Sequence, residues 1–112
     1  MEPLFDTTAA TRKIRKAFDA LRREGVNARM NYMCCNTCAM ETAPFFSSLV
    51  YYPREDAIAF RESGVLFIRF LSSDGDKAGT RALGDQVRCI LELNGLEVEW
   101  DGSPGQAIMV MA

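Results

Sequence analysis

The chain has 112 residues, of which 48% are hydrophobic and 25% are charged, and its formal net charge is −2. This length and balance are typical of one globular domain spanning residues 1–112, and they exclude a fibre or a disordered chain. Histidine is absent. Serine–histidine, cysteine–histidine and histidine-ligated zinc chemistries are therefore excluded by composition.

The distribution of apolar residues predicts a cytoplasmic protein without a membrane anchor. The longest uncharged apolar runs are Val65–Ile68 and Ala107–Ala112, far short of the roughly 20 residues that a membrane span needs. The acidic segment 1–6 lacks the basic and apolar regions of a secretory signal. In a reducing compartment, cysteines are expected to be thiols or metal ligands rather than disulfides.

Residues 7–24 are predicted to form a helix, because apolar residues recur there at helical spacing. Asp6, Thr7 or Thr8 is available as the N-cap, and Gly25 follows the last turn. The opposite face carries a basic surface made of Arg12, Arg15, Lys16, Arg22 and Arg23. This surface indicates an acidic protein partner or self-association, although a solvated helix face is the simpler interpretation. No aromatic residues interleave the charges, which argues against nucleic acid.

Apolar and polar residues alternate cleanly over Val26–Met33, which predicts a strand with one buried face. If the alternation continues, Cys34 lies on the core side as the strand ends, and Cys35 points the other way. Asn36 or Thr37 then caps a short helix.

The remaining chain alternates strands with helices and closes with a hairpin. The predicted strands are Leu49–Tyr52, Val65–Leu71, Leu96–Trp100 and Ala107–Met111, and the predicted helices run from Pro53 to about Ser63 and over Lys77–Asn94. Val65–Leu71 is apolar on both faces apart from Arg69, which predicts a central strand covered on both sides. Gly79 and Gly84 indicate either a close helix contact or a kinked first turn in the last helix. We predict an α+β domain with an α/β-like element order. It has a mixed sheet of about five strands, two long helices on one face and a C-terminal β-hairpin.

Cys34, Cys35 and Cys38 lie in the most sulfur-rich segment of the chain, and three interpretations compete. A Cys-x-x-Cys pair at a helix start favours a low-pKa thiolate and thiol redox chemistry. A zinc site would need Cys89 or Glu41 brought in by the fold to complete its ligands. The three thiols with Met30, Met33 and Met40 instead form an all-soft ligand set suited to Cu(I). Burial preferences favour a third interpretation, in which the thiols pack as small hydrophobes without any cofactor.

Four stretches resemble a known family. They are Arg29–Glu41 with its Cys-Cys-x-x-Cys core, Tyr51–Asp56, the strand Val65–Leu71, and Asn94–Ser103 with its Leu-x-Val-x-Trp-x-Gly pattern. They are similar to a family of small uncharacterised proteins, a domain of unknown function, found chiefly in actinobacteria. The resemblance covers about residues 9–111 and implies a fold and a source but no activity. Relatives tend to read Cys-Cys-x-x-Cys-Gly-His, whereas this chain lacks the histidine.

Together these observations predict a non-enzymatic protein-interaction module, and no catalytic residue is assigned. The alternative is a thiol redox or soft-metal binding protein that uses Cys34, Cys35 and Cys38, with Cys89 nearby. A small, compact cytosolic chain of this kind also fits a phage-encoded protein that binds a host protein.

Overall fold

The structure is a computed structural model that describes residues 5–35, 37–38, 48–73 and 76–112. Its elements in chain order are α1 (Thr8–Arg23), β1 (Asn27–Arg29), β2 (Leu49–Tyr51), α2 (Arg54–Ser63), β3 (Val65–Leu71), α3 (Lys77–Leu93), β4 (Glu97–Glu99) and β5 (Ile108–Met111). Thr37 and Cys38 are also helical. The predicted cap Asn36 and the candidate ligands Met40 and Glu41 lie outside the described residues.

The five strands form one mixed sheet in the order β1-β2-β3-β5-β4. β1 and β2 pair in parallel, and all other neighbours pair antiparallel. β3 is central, as its long apolar run predicted. The predicted α+β class, with a five-stranded mixed sheet and a closing β4–β5 hairpin, is confirmed.

The main core lies between the sheet and the two long helices. Alternation along β3 buries Leu66, Ile68 and Phe70 in this core. The helices supply Ile14, Phe18 and Leu21 from α1 and Leu83, Val87 and Leu91 from α3. Fully burying a side chain of this size contributes roughly 1.5–3 kcal/mol, so this layer carries most of the stability of the fold.

Gly84 allows the hairpin to approach α3. A Cβ atom at this position would lie 2.6 Å from Cη2 of Trp100 and 2.9 Å from Cε2 of Phe70. Those two rings meet edge to face with centroids 5.5 Å apart. Gly84 therefore marks a close contact, which is one of the two roles that the sequence predicted for it.

The second face of the sheet is less completely covered than its apolar sequence predicted. Phe67 and Arg69 of β3 point to this face, and Phe67 is 39% exposed, because α1 and α3 both pack on the opposite side. Arg69 donates from Nε to Oδ2 of Asp56 on α2 at 3.1 Å. In the parts of the chain that the structure describes, no helix is long and apolar enough to cross a bilayer.

Candidate metal centre

The backbone leaves the sheet before it reaches the cysteines. β1 ends at Arg29, which pairs with Tyr51, the last residue of β2. Asn31 and Met33 then adopt left-handed φ values of 51° and 62°. The predicted strand Val26–Met33 is therefore too long, because the left-handed residues Asn31 and Met33 cannot continue a pleated strand.

Three backbone hydrogen bonds hold this turn in place. The Tyr32 N–H donates to the Tyr52 carbonyl at 2.8 Å, and the N–H groups of Arg54 and Glu55 donate to the carbonyls of Met33 and Cys34 at 3.0 and 3.1 Å. The first N–H groups of a helix have no partner within the helix. The turn therefore supplies acceptors that the start of α2 needs, and α2 fixes the turn in return. We name residues 31–35, together with Thr37 and Cys38, the cysteine loop.

The cysteine loop brings three sulfur atoms together. The Sγ of Cys34 lies 3.9 Å from the Sγ of Cys35 and 3.5 Å from the Sγ of Cys38. All three sulfurs lie within 4.8 Å of one another. Two sulfurs bound at about 2.3 Å to one tetrahedral zinc stand about 3.8 Å apart, so the spacing matches that of thiolates around a single ion.

The structure corrects two expectations about these thiols. Cys34 was predicted to point into the core, away from Cys35, but both sulfurs face the same side because the left-handed turn replaces the strand. Cys34 is exposed and Cys35 and Cys38 are half-buried. The interpretation as buried packing residues is therefore wrong for Cys34.

Hydrogen bonding makes the three thiols chemically unequal. The backbone N–H of Cys38, together with the neighbouring thiols of Cys38 and Cys34, lowers the pKa of Cys35. Hydrogen bonding with the thiols of Cys34 and Cys35, together with the negative charge that those two groups carry when ionised, raises the pKa of Cys38 to about 12. Of Cys35 and Cys38, Cys35 therefore loses its proton at the lower pH, and the thiol of Cys38 stays protonated at neutral pH.

Cys89, the fourth predicted ligand, lies on α3 and is exposed. It is not part of the three-sulfur group. Of the candidate thioethers, Met33 belongs to the cysteine loop and is 40% exposed, whereas Met30 packs against the main core. Among the described residues, the site therefore consists of three thiols from one short segment.

The predicted basic surface on α1 is exposed along its length, and Arg12, Arg15, Lys16, Arg22 and Arg23 all face solvent. The guanidinium of Arg22 already has partners within the chain, because it donates to Asp19 at 2.7 Å and to the Ala28 carbonyl at 2.8 Å. It is therefore less able than the other four cations to pair with a partner protein. Nothing in the structure tests whether this surface binds a partner, so the partner stays a prediction.

A family model for a domain of unknown function, DUF6891, matches residues 4–112, almost the whole chain. The chain belongs to the DUF6891 family. This bears out the resemblance to an uncharacterised family, while the actinobacterial or phage source stays a prediction. Neither the curated proteins nor the solved structures contain a match to this DUF6891 chain.

The sequence did not point to the residues that shape the site. Asn31 and Met33 carry the left-handed turn, and Arg54 and Glu55 anchor it through backbone N–H groups. One signal was available, since Pro53 immediately before an acidic helical turn marks a helix start whose N–H groups require acceptors.

Proposed function

We propose that this chain binds one soft metal ion, zinc or Cu(I), through the thiolates of Cys34, Cys35 and Cys38. The observation that carries the proposal is the approach of the three sulfurs to within 4.8 Å of one another. Thiolates are the protein ligands that select zinc and Cu(I) over harder cations.

The backbone around the thiols supports the same proposal. Left-handed residues other than glycine cost roughly 1–2 kcal/mol each, a cost that local structure must offset. At Asn31 and Met33 the hydrogen bonds of the turn with Tyr52 and α2 offset that cost. The left-handed turn in return places the sulfurs of Cys34 and Cys35 on the same side. A structural turn alone does not require three sulfurs on one side. A preformed set of ligands lowers the ordering cost of binding an ion.

The direct test is metal loading followed by removal of single ligands. Anaerobic protein is incubated with Zn²⁺ or with Cu(I), desalted, and assayed by elemental analysis and chelator competition. We expect one ion per chain. Cys34→Ser, Cys35→Ser and Cys38→Ser should each weaken binding by more than the 10- to 100-fold loss that is roughly typical of outer-shell changes. Cys89→Ser is the matched control and should bind like the unaltered chain.

Two results would contradict the proposal. One is metal content below a tenth of an ion per chain under both conditions, and the other is equal retention by Cys35→Ser and Cys89→Ser. Replacement with Co²⁺ identifies the geometry, because thiolate ligation gives a charge-transfer absorption that disappears in each ligand variant. The competing chelators then decide whether zinc or Cu(I) is preferred.

A second candidate function is thiol–disulfide exchange, favoured by the 3.5 Å separation of Cys34 and Cys38 and by the N–H of Cys38 at the Cys35 sulfur. The Cys35 thiolate would attack a small disulfide such as oxidised glutathione, forming a mixed disulfide and releasing one thiolate. The thiol of Cys38 or Cys34 would then lose its proton to solvent and displace the second thiolate. Two cysteines would be oxidised and one disulfide reduced.

Metal-free protein treated with oxidised glutathione distinguishes the two candidates. Exchange predicts a mass loss of two hydrogens and an internal disulfide that can be mapped by proteolysis. A glutathione adduct should accumulate only in the double variant Cys34→Ser/Cys38→Ser, which has no resolving thiol. Absence of any adduct after hours at neutral pH would remove this candidate and leave the metal proposal intact.

A further inference from the structure

A cleft lies beside the turn that precedes the cysteines. The first half of α1, α2 and the turn at Asn31 enclose this cleft of about 540 Å³. Arg12 and Arg15 of α1 and Arg61 of α2 line it, as do three threonines at the start of α1 and the side chain of Tyr52. No carboxylate is among the lining residues. Clefts of this size are typical of small-molecule sites.

Among the described residues, the three arginines of the cleft lack the carboxylate partner that several other arginines of the chain have. Arg22, Arg69 and Arg88 each have a carboxylate partner within 3.1 Å. The guanidinium groups of Arg12, Arg15 and Arg61 have no ion pair and no hydrogen bond with any part of the chain that the structure describes. Asp6, the acidic residue nearest in sequence to the threonines, already accepts from the Thr8 N–H at 3.0 Å.

Three cationic side chains in a cleft that contains no carboxylate create a positive electrostatic potential there. Such a potential favours the binding of an anion. Each guanidinium presents planar donors that match two oxygens of one phosphate. A phosphate group offers more acceptor oxygens and more charge than a carboxylate. The arginines come from two separate helices that both line the cleft, which fits a ligand held within it.

The rest of the cleft supplies further hydrogen-bond donors and an apolar floor. Burial raises the pKa of Tyr52 to about 12, with Arg15 opposing the shift, so the phenol keeps its proton and can donate. Thr7, Thr8 and Thr11 add hydroxyl groups. Below them lie the apolar side chains of Ala57, Phe60 and Leu66.

We propose that this cleft binds a small organic phosphate, with the phosphate group between Arg12, Arg15 and Arg61 and the carbon skeleton on the apolar floor. The proposal is independent of the metal site, because it uses none of the cysteines. Asn31 lines the cleft and belongs to the turn that leads to Cys34, so the two sites share one short backbone segment.

Calorimetry of the reduced, full-length chain tests the proposal, with glycerol 3-phosphate, inorganic phosphate and glycerol as probes at constant ionic strength. We expect saturable binding of glycerol 3-phosphate with a dissociation constant below about 1 mM, weaker binding of inorganic phosphate and no binding of glycerol. Arg12→Gln and Arg61→Gln should each weaken binding about 10-fold or more, as expected for loss of a charge-assisted hydrogen bond.

Arg23→Gln is the matched control, because it removes the same charge from the exposed last turn of α1, away from the cleft. It should bind within about twofold of the unaltered chain, since screening weakens a distant surface charge. Binding in Cys34→Ser should also be unchanged, which separates this proposal from the metal site. Absence of saturation at millimolar probe, or equal losses in Arg23→Gln and Arg12→Gln, would overturn the proposal. Circular dichroism and melting curves confirm that each variant is folded.

Discussion

The helix-packed core and the cysteine loop are held in place by different forces. Phe18, Ile68 and Val87 are fully buried and belong to one continuous apolar cluster. The cysteine loop instead depends on three backbone hydrogen bonds and contains two left-handed residues. Stability is therefore concentrated in the layer between helices and sheet, while chemical reactivity is concentrated where burial is low. Changes in one region are expected to leave the other almost unaffected.

The largest expected effect is in the core. Phe18→Ala removes a fully buried ring that packs against Tyr52 with centroids 5.9 Å apart. We expect the free energy of unfolding to fall by about 3–5 kcal/mol because of lost burial and the cavity left behind. Urea denaturation measures this loss. A decrease of less than about 1 kcal/mol would show that the core is not the main source of stability.

The next largest effect concerns the contact of α3 with the hairpin. In Gly84→Ala the new Cβ would meet Trp100 at 2.6 Å, and both rings of the Phe70–Trp100 pair would have to shift. We expect a loss of about 1–3 kcal/mol from overpacking. Gly105→Ala is the control, since nothing lies within 4 Å of its added Cβ. Equal free energies of unfolding in the two variants would show that α3 and the hairpin can move apart without loss of stability.

A smaller effect of opposite sign is expected in the cysteine loop. Met33 has a left-handed φ of 62° and is 40% exposed. Met33→Gly relieves the backbone cost, and we expect the free energy of unfolding to rise by about 0.5–1 kcal/mol. Ala82→Gly, at an exposed position within α3, should instead lower it by a similar amount. A loss of stability in Met33→Gly would mean that its side chain, not its backbone, holds the loop.

The smallest expected effect on stability is removal of a thiol from metal-free protein. Cys34 is exposed, so Cys34→Ser should change the free energy of unfolding by less than about 0.5 kcal/mol. With metal present, the unaltered chain should gain stability through binding to the folded state, whereas Cys34→Ser should not. Parallel melting curves with and without zinc measure both quantities. A large loss without metal would place the cysteine loop in the structural core after all.

The reactivity of Cys35 gives a prediction about pH. Because its pKa is lowered in the folded chain, more thiolate is present near pH 7 than in the unfolded chain. Iodoacetamide should therefore alkylate Cys35 faster in native than in urea-unfolded protein, as quantified by mass spectrometry of the peptide. The ratio of the alkylation rate in native protein to that in unfolded protein should fall toward one as pH rises past the ordinary thiol pKa of about 8.5. A ratio below one near pH 7 would contradict the hydrogen bonding described for this thiol.

Much of the architecture could be predicted because it depends on local patterns. The stripe on α1 and the apolar run of β3 predicted the layers, and Gly84 predicted a close contact. The site could not be predicted in the same way. Alternation over Val26–Met33 does not reveal where pairing with β2 stops, and the reversal of Cys34 depends on hydrogen bonds to Arg54 and Glu55, some 20 residues further along the chain. The grouping of Arg61 with α1 is likewise a product of tertiary packing.

The attachment of the cysteine loop to α2 gives the sulfurs a remote spectroscopic reporter. The backbone N–H groups of Arg54 and Glu55 donate hydrogen bonds to the carbonyls of Met33 and Cys34. Their rates of exchange with deuterated water therefore depend on how firmly that short segment is held. Metal binding or disulfide formation at the sulfurs should slow hydrogen exchange at Arg54 and Glu55 and leave exchange in α3 unchanged. The exchange rates of these two amides would then report the chemical state of the thiols.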